Sequence, residues 1–114
     1  MKRDYRLFIN DIITSIEQIE YFVSDMSYDE FILDDRTASA VIRKLEIIGE
    51  ASKNIPENIR AKYGNLPWSE MAKMRDKLIH AYFGVDCEII WKVIKERLPL
   101  IGKQLLEILD GLME

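Results

Sequence analysis

One histidine occurs in the chain, His80, and an arginine stands five residues before it at Arg75. An imidazole titrates near neutral pH, so His80 can take a proton from a ribose 2′-hydroxyl or return one to a leaving oxygen. Arg75 offers a planar, permanently charged donor set suited to phosphate oxygens and to the charge of a phosphorane-like transition state. Together they fit attack by a 2′-oxygen on its own phosphate, which leaves a 2′,3′-cyclic phosphate and a 5′-hydroxyl. Asp76 and Tyr82 flank the pair, and Lys73 and Lys77 stand close enough in sequence to contact phosphates. One His and one Cys do not make a zinc site, so neither a metal nor a cofactor is expected.

Helical geometry sets a condition on this pairing. At about 100° per residue, Arg75 and Tyr82 share a face, as do Asp76 and His80, whereas Arg75 and His80 stand about 140° apart. The arginine can curl back, the last turn can deviate near Gly84, or a second subunit can complete the cleft. Such a cleavage commonly wants both an acid and a base. A two-fold interface that joins two copies of His80 supplies both, and this favours a homodimer. The same residues also admit structural readings. His80 can answer a helix C-terminal dipole, Asp76 and His80 can form an i,i+4 pair, and Tyr82 can be a half-buried aromatic. Arg75 can pair with Glu46 or Glu50, which are assigned to supporting it or to solvent. A glycosidase-like role for those two carboxylates lacks an aromatic-rich cleft. Trp68 and Trp91 read as core or interface residues, and Cys87 as a small filler near a helix start.

The elements that must position these groups are helical. The 114 residues predict one domain, residues 1–114, with 48% hydrophobic and 32% charged side chains, a globular balance. Apolar residues from Tyr5 to Met26 recur at helical period and predict a helix from about Asp4 to Met26. Ser27 and Glu30 are spaced as a capping box before a short turn. Asp34 or Asp35 then caps a helix over about 36–54. Pro56 suits the first turn of a short helix ending at Tyr63. Pro67 opens another from Trp68 to about Phe83, which Gly84 can terminate. Asp86 caps the last, from Cys87 to Asp110, ending at Gly111, with a kink or break at Pro99. The expected fold is all-α: an antiparallel bundle of four main helices with short extra helical turns.

Charge and targeting narrow the function classes. The net charge is −4, which is not the footprint of indiscriminate nucleic-acid binding, and no DNA is expected. Residues 53–77 nevertheless hold six basic and three acidic side chains, and this net-positive stretch runs into the motif. No apolar run approaches the roughly 20 residues of a membrane span, and the charged N-terminus does not read as a signal peptide. A lone cysteine fits a reducing cytoplasm.

The run Met74-Arg75-Asp76-Lys77-Leu78-Ile79-His80-Ala81-Tyr82 resembles the HepT-type HEPN family, small helical bundles with an Arg-x4-His motif followed by x-Tyr. Leu45-Glu46-Ile47-Ile48-Gly49-Glu50-Ala51 and Leu66-Pro67-Trp68 strengthen the likeness, which spans roughly residues 41–99. The resemblance implies a metal-independent endoribonuclease toxin that acts on RNA as a homodimer, encoded beside a minimal nucleotidyltransferase antitoxin. Arg75 and His80 would be its catalytic pair, Asp76 the polar residue beside the arginine, and Tyr82 the residue that the antitoxin adenylylates. A non-catalytic member that binds a nucleotide, or presents substrate to the transferase, is the second implied reading. A purely structural helical adaptor is the third.

Overall fold

Asp4 begins the first helix by accepting the Arg6 backbone N–H at 2.9 Å, one of the donors that a helix start leaves unsatisfied. The helix, α1, runs Tyr5–Val23 and buries Ile9, Ile12, Ile13, Ile16, Ile19 and Val23. Spacings of three and four put these side chains on one stripe. Each contributes about 1.5–3 kcal/mol on leaving water, before the entropy of ordering is subtracted. The computed structural model describes residues 4–74, 76 and 87–112.

Short-range capping starts the next two helices. Ser27 Oγ accepts the Glu30 N–H at 3.2 Å, and the Glu30 carboxylate accepts the Ser27 N–H at 3.0 Å. This expected capping box opens α2, Tyr28–Ile32, whose Phe31 is fully buried. Asp34, the first of the two candidate caps, accepts the Thr37 N–H at 3.0 Å and the Thr37 hydroxyl at 2.7 Å. It starts α3, Asp35–Lys53, which lies along α1 and buries Val41, Ile42, Leu45, Ile48 and Ala51. Ser52 is fully buried and satisfies its hydroxyl by donating to the Ile48 carbonyl at 2.7 Å.

Two prolines mark the short helices. Pro56 precedes α4, Glu57–Lys62, and Pro67 precedes α5, Trp68–Ala72, which packs on α3. The helix expected to run unbroken from Trp68 has an irregular turn at Lys73, whose N–H is shared between the Ser69 and Met71 carbonyls. Met74 and Asp76 are helical again. The expected continuation to Phe83, its stop at Gly84 and the cap at Asp86 lie outside the described residues.

The C-terminal part comprises α6, Cys87–Lys92, a π-helical turn over Val93–Arg97, and α7, Leu98–Leu112. Pro99 has no N–H, and its ring crowds the carbonyl four residues earlier, at Lys95. The helix answers with a wider turn just before the proline, in which the Leu98 N–H donates to the Val93 carbonyl. Gly111 does not end the helix, which continues to Leu112. α7 lies against α1 and places Leu98, Ile101, Leu105 and Ile108 in the core. Among the described residues there is no strand, and the fold is all-α. No described helix is long and apolar enough to cross a membrane.

Candidate active site

The motif segment enters from α5, and what fixes its entry is visible. Met71 and Met74, three residues apart, are both buried, so they dock this stretch into the core. Trp68 is 6% exposed, and its indole N–H donates to the Tyr63 carbonyl at 3.0 Å, fixing the start of α5 to the turn that follows α4. Glu70, on the same helix, forms an ion pair with Arg97 of the π turn. Core contacts and an indole hydrogen bond thus hold the approach to the motif, with an exposed ion pair beside them.

Of the candidate catalytic, modification and phosphate-contact residues, Lys73 and Asp76 are described, and both are exposed. Arg75, Lys77, His80 and Tyr82 lie outside the described residues. Glu46, one of the two carboxylates assigned to Arg75 or to solvent, pairs with Arg43 on its own helix at 3.4 Å. Glu46 and Glu50 also line a groove of about 370 Å³ between α1 and α3, together with Asp11 and Arg43. Of the core or interface roles expected of the tryptophans, Trp68 lies in the core and Trp91 is half-buried against it. Trp91 packs its ring 5.1 Å from Phe31 and 6.2 Å from Tyr28, with Lys95 Nζ 4.8 Å above it. Cys87 is half-buried against the core.

Two charged features escaped the reading of the sequence. The Glu70–Arg97 pair joins residues 27 apart, and no local spacing announces it. Arg60 was counted only as part of the basic stretch. In the fold it lines a groove of about 750 Å³ between α4 and α5, alongside Lys73. Its Nε is buried with no hydrogen-bond acceptor among the described residues. Burial of this kind is decided by tertiary packing, so only the local charge excess pointed towards it.

Residues 12–108 match the model of the family described as Ribonuclease HepT-like. A protein of Thermococcus cleftensis named "Probable ribonuclease HepT" is 53% identical over 104 residues, covering 90% of this chain and 94% of the relative. Two proteins of Methanocaldococcus jannaschii, whose names mark them as candidate RNases, are each 48% identical. One alignment covers 97% of this chain and 92% of the relative, the other 99% and 97%. No solved structure matches the chain. A match over nearly all of the chain, including both sides of the motif, shows that the protein belongs to the HepT-like ribonuclease family.

Proposed function

We propose that this protein is a metal-independent endoribonuclease, the toxin of a toxin–antitoxin pair, with Arg75 and His80 as its catalytic residues. The observation that carries this reading is the intact run Arg75-Asp76-Lys77-Leu78-Ile79-His80-Ala81-Tyr82 inside the family match. Relatives named as ribonucleases, about half identical over nearly their whole length, support it. His80 removes the proton from the ribose 2′-hydroxyl as that oxygen attacks the adjacent phosphorus. The 5′-oxygen leaves with a proton, and a second copy of His80, brought in by a homodimer, provides it. Arg75 offsets the charge that builds on the phosphoryl oxygens, and Asp76 orients the polar surroundings of the arginine. A nucleotidyltransferase partner in the cytoplasm silences the enzyme by adenylylating Tyr82.

The test is incubation of the unmodified protein with RNA at neutral pH in EDTA, with the products' ends identified. Cyclic phosphate and 5′-hydroxyl ends are expected. His80→Ala and Arg75→Ala should each lower the rate by ~10²–10⁴-fold while the fold is retained. Cleavage by both variants at the wild-type rate would remove the catalytic assignment. Nucleotide binding by a wild type that cuts no RNA would support the non-catalytic reading instead.

A further inference from the structure

We propose that the groove between α4 and α5 is a phosphate subsite, in which Arg60 and Lys73 hold the backbone of the RNA strand beside the cut. The proposal rests on the ribonuclease reading above and extends it to a surface outside the motif.

The groove is about 750 Å³, large enough for a nucleotide unit. Its lining includes Leu66, Pro67 and Trp68, together with two cations, Arg60 and Lys73, and two carboxylates, Glu57 and Glu70. Those four charges are not equivalent. Glu70 is taken by Arg97. Among the described residues neither Arg60 nor Lys73 has a carboxylate within ion-pair distance, so Glu57 forms a direct ion pair with neither of them.

Arg60 is the unusual member. The guanidinium is half-buried, and its enclosed Nε has neither a hydrogen-bond acceptor nor a counter-charge among the described residues. An anion in the groove supplies that charge, and a planar donor fork suits a phosphate better than it suits a single carbonyl. Lys73 is exposed and precedes the motif arginine by two residues, so the groove lies next to the start of the motif segment. Trp68 does not provide a stacking face for a base, because it is 6% exposed and hydrogen-bonded to Tyr63. The contact is therefore with the strand's backbone and carries no base preference.

The test uses a single-stranded RNA carrying 2′-O-methyl groups, which block the attacking oxygen, with binding followed by fluorescence anisotropy across a salt series. Arg60→Gln and Lys73→Gln should each weaken binding roughly three- to tenfold. Each should reduce the slope of log affinity against log salt by about 0.7, and the pair by about 1.4. Arg60→Lys should keep the slope, because it keeps the charge. Lys103→Gln, an exposed cation on α7, should leave both quantities at wild-type values. On cleavable RNA the groove variants should raise KM and hold kcat within about twofold, the pattern of lost uniform binding. If Arg60→Gln fails to fold, Lys73→Gln still decides the matter. Gln variants at Arg60 and Lys73 that behave like Lys103→Gln overturn the subsite while the ribonuclease reading stands. A wild type that neither binds nor cuts RNA overturns the reading beneath it.

Discussion

Asp34 does more for the fold than its place in a loop suggests. The Thr37 N–H and hydroxyl both donate to its carboxylate, which holds its pKa below the ordinary value. Glu30 is lowered by the Ser27 N–H, and Asp4 is brought down to about 2 by the Arg6 side chain and backbone. A carboxylate whose folded pKa is depressed stabilises the fold above its unfolded pKa and loses that contribution as pH falls through the folded value. Thermal stability is therefore expected to decline on acidification from roughly pH 5 downwards. Asp34→Asn should lower stability at neutral pH and flatten that decline, as read from unfolding midpoints at several pH values. A steeper acid dependence in the variant would contradict the assignment. In the motif, Arg75→Lys should fail nearly as badly as Arg75→Ala in RNA cleavage, since a point charge does not reproduce a bidentate fork. Tyr82→Phe should retain cleavage but gain no AMP mass on incubation with the partner transferase, ATP and magnesium. An adduct equally present on Tyr82→Phe would sink the switch.

The helices were legible where their signals are local. Ser27 with Glu30, and Asp34, sit within four residues of the donors they satisfy, so sequence spacing alone reveals them. The π turn was not legible, because Pro99 demands relief without dictating its form. Relief is taken upstream, where Ile94 and Leu98 are both buried and a wider turn keeps both on the core side. The Glu70–Arg97 pair depends on that turn and is equally absent from any local pattern. In α7, Gly102 faces α1, and a Cβ added there would meet Ile16 Cγ2 at 3.5 Å, an ordinary contact. No described glycine has a positive φ. Gly102→Ala should therefore stabilise the protein by about 0.5–1 kcal/mol, through a smaller backbone entropy loss within the helix. Denaturant unfolding measures it, and a loss of stability would mean that α1 and α7 pack more tightly than the backbone indicates.

For the molecule as a whole, the residue types of the motif were readable while their mutual geometry was not. The ideal-helix separation of Arg75 from His80 can be closed within one chain or between two, and sequence does not choose. The described surface leaves large apolar side chains in water, with Leu33 84% exposed and Leu100 65%. A second copy would remove such groups from solvent and unite the two His80 residues. Sedimentation at micromolar concentration is expected to give twice the 13.4 kDa chain mass, and a monomer there would refute the dimer. The buried Trp68 has a consequence of another kind. It forms part of the groove's wall, whereas Trp91 lies among Phe31, Tyr28 and Lys95. The protein thus carries two built-in lamps in different surroundings. With Trp91 replaced by Phe, the remaining emission comes from the indole beside Arg60 and Lys73. A shift in its colour would then report, without any attached dye, whether a strand occupies that wall.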